Sequence, residues 1–369
     1  MDTTTTAMTT SGLEGVVVAE TRLSEVDGER GRLVVAGHDI ERLALIARFE
    51  DVVALLATGT LPDAAGREAT RRALAAGRVA AFERLKGCGD ALGLVDGMDS
   101  LRASTAHLSE AAGFAAPGVL IGAVAVHVAA WARVQAGGEP VAPDPTLSHA
   151  ADYLRMLGLG SDAARVAGLD AYLATVADHG LNASTFAARV VTSTGSDLVS
   201  AVVAAIGALK GPLHGGAPGP VLDMLDAVGS PADAVAWIDG ELAAGRRIMG
   251  MGHRIYRVRD PRAAVLERAI AGLERAGLST GRLALARAVE RAAEGALRLK
   301  HPGRPLAANV EFYTAVLLDT LGIDRAAFAP TFAVGRVAGW CAHVAEQRAG
   351  GRLIRPASRY VGPARAPLY

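Results

Sequence analysis

Two histidines stand in glycine-rich segments where a side chain could reach a small ligand. His214 lies in Gly-Pro-Leu-His-Gly-Gly-Ala, just before a helical pattern at 220–228, and His253 lies in Gly-Met-Gly-His-Arg. Glycine lets the backbone approach a ligand closely, and the start of a helix offers unpaired N–H groups to anions or carbonyl oxygens. A turn histidine that only caps a helix would fit the same positions. Taken singly, the two segments leave both interpretations open.

Arginines are concentrated after His253, at Arg254, Arg257, Arg259 and Arg262. A guanidinium group can hold a carboxylate or a phosphate through two parallel hydrogen bonds, so the segment is predicted to be a local anion site. A solvated basic helix face would have the same composition. The Gly-x-Gly is not a dinucleotide fingerprint, because the third glycine and the preceding strand are missing.

Four further residues have types that could serve such a site. Glu311 follows Asn309, a plausible N-cap, at the head of a helical pattern over 311–321. A carboxylate in the first turn is kept ionised by the helix dipole, which suits a general base but equally an ordinary capping group. His179, Arg336 and Arg355 stand in no local motif. The histidines lack metal-ligand spacing, so no zinc site is predicted, and P-loop and Gly-x-Ser-x-Gly motifs are absent.

Composition narrows the class of protein. The 369 residues carry 38 basic and 38 acidic side chains, so the basic excess of a nucleic-acid-binding protein is missing. The two cysteines, Cys88 and Cys341, form no disulfide framework, and a reducing cytoplasm is the expected compartment. Residues 1–12 lack the features of a signal peptide and are predicted to be a disordered tail.

One uncharged segment is long enough to cross a bilayer. No residue between Glu110 and Arg133 carries a charge. The segment contains Pro117, two glycines after it, His127 and many alanines, which favours a buried central helix. A membrane span is the alternative, and we expect no membrane association.

The predicted elements are mostly helical. Valine-rich runs separated by Gly and Asp-Gly turns over 13–40 predict a small β-hairpin. Alanine, leucine, arginine and glutamate then dominate and favour helices. The predicted helices before residue 210 cover 40–57, 64–85, 100–112, 119–136, 147–157, 163–178 and 184–209. Glycine-rich breaks at 210–220, 248–262 and 301–311 separate later helices. The fold class is therefore all-α with a minor β-hairpin.

Taken together, these segments resemble the citrate synthase family. The resemblance covers nearly the whole chain in the family's order, and its most specific stretch is GMGHRIYRVRDPR at 250–262. The other matching segments are 12–39, GMDSLRAS at 97–104, 140–154, DHGLNAST at 178–185, GPLHGGA at 211–217, NVEFYTA at 309–315 and 335–363.

The resemblance implies the family's two-domain helical fold. A large domain would comprise 13–215, completed by 321–369, and a small domain would comprise 216–320. The resemblance also implies a homodimer in which Arg355 reaches into the partner's site. Substrates would be an acyl-CoA and oxaloacetate, and no metal or redox cofactor would be required.

The resemblance further implies a Claisen-type condensation followed by thioester hydrolysis. His214 would donate a hydrogen bond to the thioester oxygen, Glu311 would remove the methyl proton, and His253 would polarise the ketone of the 2-oxo acid. Arg257 would bind a CoA phosphate. The oxo-acid carboxylates would be bound by His179, Arg262, Arg336 and Arg355.

Two positions depart from the family pattern. The family's base is usually Asp, whereas this chain has Glu311, and many members carry Glu where this chain has Gly180. Three functions therefore remain open at this point. They are citrate synthase using acetyl-CoA, 2-methylcitrate synthase using propionyl-CoA, and a paralogue that binds CoA or an oxo acid with low activity.

Overall fold

The protein is built almost entirely of helices, as the sequence predicts. The computed structural model describes residues 12–13, 15–214, 218–253, 255–278, 280–303 and 306–363. In these ranges the helices are α1 Ile40–Ile46, α2 Phe49–Thr58, α3 Ala64–Arg84, α4 Gly97–Ala106, α5 Pro117–Gln135, α6 His149–Met156, α7 Ala163–Val176, α8 Ala183–Ser193, α9 Leu198–Leu209, α10 Pro218–Val228, α11 Ala234–Ala243, α12 Pro261–Arg275, α13 Arg282–Lys300, α14 Val310–Leu321 and α15 Phe328–Gly350. The predicted tail at 1–12 lies outside the described residues except for its last residue.

The N-terminal β unit has three strands rather than the two of a hairpin. Strands β1 (Ser24–Asp27), β2 (Arg32–Val35) and β3 (His38–Asp39) pair antiparallel in the order β1-β2-β3. The third strand is short because its last residue already caps the next helix. The side chain of Asp39 accepts hydrogen bonds from the first N–H groups of α1.

Two predicted helices are each divided into two. The helix predicted over 40–57 is broken at Ala47, whose backbone is extended, and α2 begins at Phe49, whose N–H donates to Asp170 Oδ1. The helix predicted over 184–209 is broken at Gly195, whose φ of +84° is the left-handed conformation that favours glycine. Asp197 then caps α9. Capping and turn chemistry, which apolar periodicity does not register, sets both breaks.

The uncharged segment forms α5, which lies in the core. Its residues from Leu120 to Trp131 are buried, and it packs on α3, α4 and α15. The approach to α3 is backbone to backbone, since a Cβ at Gly122 would lie 2.1 Å from Leu74 O. The helix is long and apolar enough to cross a membrane, but most of it is buried inside the fold. This burial agrees with the predicted core helix.

Two glycines bring α15 against the end of α7. A Cβ at Gly335 would lie 2.6 Å from Val176 Cγ2, and one at Gly339 would lie 2.3 Å from Ala177 O. The two glycines are one turn apart and therefore line the same face of α15. This close contact places Arg336 beside the loop that follows α7 and carries His179.

Candidate active site

Arg336 is the common neighbour of the predicted site residues. Its buried side chain donates from Nε to Val176 O at 2.6 Å, and its guanidinium lies 4.7 Å from the centre of the Phe332 ring. Burial lowers the pKa of Arg336 to about 10, while the charges of Asp178 and Glu311 oppose this shift. Its positive charge in turn lowers the pKa values of the His179 and His214 rings. The charge of Arg336 therefore acts on side chains from α14, from the loop after α7 and from the turn before α10.

His179 and His253 face one another around Tyr256. Their ring centres are 5.8 Å apart in an edge-to-face arrangement, and His179 Nε2 lies 3.0 Å from the Tyr256 hydroxyl. The His253 ring also packs on Tyr256, with ring centres 4.8 Å apart. Burial, followed by the charge of Arg262, holds the pKa of His179 well below its usual value. Both rings are therefore neutral at physiological pH.

The hydrogen bonds of His253 define its tautomer. Its Nδ1 accepts the N–H groups of Ile255 at 3.0 Å and Tyr256 at 3.1 Å. Burial lowers the pKa of His253 to about 4, and the charge of Arg262 adds to the effect. A neutral imidazole whose Nδ1 accepts carries its proton on Nε2. His253 therefore presents an Nε2–H donor, as polarisation of a ketone requires.

The hydrogen bonds of His214 define the opposite tautomer. Its Nε2 accepts the Ser184 N–H at 3.3 Å and lies 2.8 Å from Ser184 Oγ. Burial lowers the pKa of His214 to about 4, with a further contribution from Arg336. The proton of the neutral ring is therefore on Nδ1. The tight turn ends with the His214 N–H on Gly211 O, and the next three residues, 215–217, lie outside the described ranges.

Glu311 carries a buried oxygen with no partner among the described residues. It stands in the first turn of α14, and its N–H donates to the N-cap Asn309 at 3.0 Å, as predicted. Its Oε2 is inaccessible to solvent and accepts no hydrogen bond from the described part of the chain. Burial raises the pKa of Glu311 to about 7, although Arg262 and Arg336 favour the ionised form. A carboxylate poised near neutral pH can both accept and release a proton.

Arg262 is oriented by a neighbouring carboxylate. Its Nε and one terminal nitrogen bind the two oxygens of Asp260 at 3.0 and 2.7 Å, and both residues are buried. Asp260 also caps α12 through the Arg262 N–H. The charge of Arg262 acts on His179, His253 and Glu311. Arg262 and Arg336 thus place two guanidinium groups around the histidine pair, where a dicarboxylate could bind.

Of the other arginines in the predicted anion site, Arg259 is engaged by carboxylates and Arg257 is exposed. Arg259 forms ion pairs with Glu290 at 2.6 Å and with Glu267 at 2.9 Å. Arg257 is exposed, 4.0 Å from Glu29, so its predicted contact with a CoA phosphate stays a prediction. Arg254 lies outside the described residues.

Arg355 lies apart from the histidine cluster within one chain. It is exposed on the extended segment that follows α15. There it lines a groove of ≈ 1270 Å³ together with the N-terminal segment, the end of α2 and the end of α15. No hydrogen bond or ion pair joins it to the cluster in the described part of the chain. Its predicted role across a dimer interface stays a prediction.

Three supporting residues escaped the sequence reasoning. Tyr256 contacts His179, Ser184 contacts His214, and the charge of the buried Asp178 favours the charged form of Arg336. Tyr256 and Ser184 do lie inside the matching segments 250–262 and 178–185, which was the available signal. The departure at Gly180 has a structural reason, since its φ is +60° and its N–H binds Ser24 Oγ at 2.7 Å.

A metal ion is a further group that clustered His, Cys, Asp or Glu side chains can hold. The described residues contain no group of three or more His, Cys, Asp or Glu side chains that could hold a metal ion. Cys88 and Cys341 are buried and unpaired. Histidine donors, one carboxylate and two arginines therefore supply the polar chemistry described for this site.

Known proteins share both the sequence and the architecture. The family model described as "Citrate synthase, C-terminal domain" matches residues 12–357. The citrate synthase of Haloferax volcanii is 39% identical over 378 residues, covering 95% of each chain. A 2-methylcitrate synthase of Mycobacterium tuberculosis is 37% identical, covering 95% of this chain and 90% of the relative.

Solved structures agree with the sequence relatives. Citrate synthase from Thermotoga maritima superposes with a TM-score of 0.83 at 32% identity, covering 97% of both chains. Citrate synthase from Thermoplasma acidophilum, in a ternary complex with carboxymethyl coenzyme A and oxaloacetate, gives a TM-score of 0.86 at 27% identity, covering 97% of both chains. The fold and the resemblance seen in the sequence are thereby confirmed, and the chain belongs to the citrate synthase family.

Proposed function

We propose that this acyltransferase condenses acetyl-CoA with oxaloacetate and hydrolyses the resulting thioester to citrate and CoA. The observation that carries the proposal is a pair of neutral histidines of opposite tautomer and one buried carboxylate, all acted on by the charges of Arg262 or Arg336. Each histidine has one ring nitrogen occupied by backbone N–H groups, which leaves the other nitrogen as a donor. Glu311 is the carboxylate, with one oxygen unpartnered among the described residues.

These groups divide the reaction between them. Glu311 would remove a proton from the acetyl methyl group while His214 Nδ1–H binds the thioester oxygen, where negative charge develops. The resulting enolate carbon would then attack the ketone carbon of oxaloacetate, and the C=O π electrons would move to the ketone oxygen. His253 Nε2–H would stabilise that oxygen by a hydrogen bond, and the alkoxide would take up one proton, equivalent to the one that Glu311 removed. A neutral imidazole suits this step, because it keeps its N–H at physiological pH and can stabilise the charge that develops on the oxygen.

The oxo-acid carboxylates would be bound by His179, Arg262 and Arg336. Arg336 uses only Nε in its bond to Val176, so its two terminal nitrogens have no partner among the described residues. Asp260 fixes the plane of Arg262, which cuts the rotational freedom lost when a carboxylate binds. The route needs no metal or redox cofactor, because histidine donors polarise both carbonyl groups.

The oligomeric state, the domain division and the cellular location are part of the same proposal. We infer a homodimer in which Arg355 completes the partner's site, with 13–215 and 321–369 forming a large domain and 216–320 a small one. A cytoplasmic location is supported by the two buried thiols, and the proposed product assigns the enzyme to the tricarboxylic acid cycle. Contact of exposed Arg257 with a CoA phosphate belongs to the same proposal.

Propionyl-CoA is the alternative acyl donor. It is favoured by the 37% identity to a 2-methylcitrate synthase, which is close to that of the citrate synthases. One methylene in an apolar pocket changes binding by about 1–3 kcal/mol, so the two thioesters are compared directly through kcat/KM. A large preference for propionyl-CoA would replace the first proposal with the second.

Release of CoA thiol tests the activity itself. DTNB reports the free thiol when the purified protein is mixed with oxaloacetate and either acyl-CoA, and Glu311→Asp and Glu311→Ala serve as comparisons. We expect Glu311→Ala to lose about 10²–10⁴-fold in rate, as removal of a general base does. If wild type and both variants release no thiol from any acyl-CoA tested, the chain is a binding paralogue rather than an enzyme. If Glu311→Ala equals wild type, Glu311 is not the base.

A further inference from the structure

Strand β1 touches the loop that carries His179. At the start of the strand, Ser24 Oγ donates to Asp178 Oδ2 at 2.5 Å and accepts the Gly180 N–H at 2.7 Å. Val26 lies on the same face of the strand, with its Cγ2 3.4 Å from the place that a Cβ of Gly180 would occupy. Asp178 and Gly180 are the two chain neighbours of His179. The backbone of this histidine is therefore held from both sides by one serine.

The turn that follows β1 touches the loop that carries His253. Gly28 O accepts the Arg257 N–H at 2.9 Å, and a Cβ at Gly28 would lie 2.3 Å from Ile255 O. Ile255 is one of the residues whose N–H groups bind His253 Nδ1. The contact is between backbones, so rotation of a side chain cannot relieve the clash that a Cβ at residue 28 would cause. The position of the His253 ring therefore depends on the absence of a side chain at Gly28.

A paired strand is a rigid connection between these two contacts. Ser24 and Gly28 are four residues apart, which is roughly 13 Å of extended chain. The strand pairs with β2 from Ser24 opposite Val35 to Asp27 opposite Arg32. Its length is fixed by this ladder rather than by contacts of the loops with one another.

We propose that Ser24 and Gly28 are positioning residues that set the spacing between His179 and His253. They do so through β1, without touching a substrate themselves. Because the histidine rings are 5.8 Å apart and are assigned to the oxo acid, a shift of either loop would weaken oxaloacetate binding more than acyl-CoA binding. The inference rests on the proposed function.

The first test compares two glycines of the same β unit. Gly28→Ala pushes the His253 loop, whereas Gly37→Ala strains the β2–β3 turn at a φ of +86° with no atom within 4 Å. We expect Gly28→Ala to raise the KM for oxaloacetate about tenfold, less than the roughly hundredfold cost of a 1 Å misplacement. The KM for acetyl-CoA should rise less, because exposed Arg257 is the one proposed CoA contact in the shifted loop. Gly37→Ala lowers the melting temperature but leaves both KM values unchanged. Equal effects of the two variants on the KM for oxaloacetate overturn the proposal.

The second test uses the hydroxyl group of Ser24. Ser24→Ala removes both bonds to the His179 loop, and Ser24→Thr keeps a hydroxyl on a residue type that strands favour. We expect Ser24→Ala to raise the KM for oxaloacetate and Ser24→Thr to restore it. These two variants also test the positioning role if Gly28→Ala does not fold. A wild-type KM for oxaloacetate in Ser24→Ala contradicts a positioning role.

A readout independent of turnover separates this inference from the proposed function. Oxaloacetate alone should raise the melting temperature of the wild type, and this rise should shrink in Gly28→Ala and Ser24→Ala but not in Gly37→Ala. If wild type releases CoA and the variants bind oxaloacetate normally, only the positioning role fails. If wild type neither releases CoA nor responds to oxaloacetate, the proposed function fails.

Discussion

Burial of single side chains sets the protonation states with which this site can work. The pKa values of His214 and His253 fall to about 4, whereas that of Glu311 rises to about 7. Desolvation is the largest cause in all three cases, and it disfavours the charged form of an acid and of a base alike. The histidines are therefore neutral donors, and the carboxylate is a base whose proton affinity is raised.

Replacing Glu311 with Gln should stabilise the protein while abolishing its activity. The pKa of Glu311 is raised in the folded state from 4.5 to about 7, so its ionisation opposes folding. The cost is absent below the unfolded pKa, grows as the pH rises through this interval and is complete above about pH 7. Glu311→Gln should therefore melt higher than wild type at pH 8, and the two should melt alike near pH 4.

The pH profile of the wild type provides the matching kinetic check. If Glu311 acts in its ionised form, kcat/KM, which reports the pKa values of the free enzyme, should fall as the pH drops through about 7. A melting difference between Glu311→Gln and wild type that does not change with pH would contradict the raised pKa. A flat kcat/KM profile between about pH 6 and 8, values that bracket the cited pKa, would contradict the role of Glu311 as base.

The N-terminus of α14 connects the base to the loop that carries His253. Asn309 accepts the Glu311 N–H through Oδ1 and donates through Nδ2 to Gly252 O at 2.9 Å. We expect Asn309→Ala to lose about 1 kcal/mol of stability in urea unfolding together with activity. Asn309→Asp keeps the cap but has no donor for Gly252, so it should keep stability and still lose activity. Full activity in Asn309→Asp would show that the bond to Gly252 is not needed.

Helix α15 depends on a glycine for its approach to the site. Gly339→Ala places a Cβ 2.3 Å from Ala177 O, and such overpacking typically costs ~1–3 kcal/mol. Because Arg336 is on the same helix, the variant should also bind oxaloacetate more weakly. Gly350→Ala is the control, since it is on the same helix and meets nothing within 4 Å. Thermal unfolding that finds the two variants equally stable would argue against close packing at Gly339.

Apolar periodicity predicted where helices exist better than where they end. The long apolar run of α5 was recognisable, whereas the breaks at Ala47 and Gly195 were not. Each break depends on a cap or on a left-handed residue, and the bond from Phe49 N–H to Asp170 joins residues far apart in sequence. Pairing of β3 with β2 likewise required only two residues, too few to produce a pattern.

The site itself could not be assembled from local patterns, because its parts come from distant stretches of the chain. His179, His214, His253, Glu311 and Arg336 meet only through tertiary packing. Resemblance to the family supplied this grouping, and the structure then added tautomers and supporting bonds. Of the predicted anion site after His253, Arg262 acts on His179 and His253, whereas Arg259 pairs with Glu267 and Glu290 instead.

The proposed dimer makes a prediction that involves the whole molecule. Arg355 is exposed, and no hydrogen bond or ion pair joins it to the site of its own chain in the described residues. This is what we expect of a residue that completes the partner's site. Arg355→Ala and Glu311→Ala should each be inactive as homodimers. If Arg355 crosses the interface, a mixed dimer has one site with Glu311 from the first chain and Arg355 from the second, and that site is intact.

Refolding the two inactive variants together should therefore restore CoA release. Complementation of this kind requires the two groups to come from different chains, because a site that used its own Arg355 would lack either that residue or Glu311 in every combination. The control is co-refolding of Glu311→Ala with His214→Ala, whose altered groups belong to the same chain's site. That mixture should stay inactive, since each site keeps its own defect. Light scattering on the mixture reports whether dimers form, and a dimer without restored activity would assign Arg355 to the site of its own subunit.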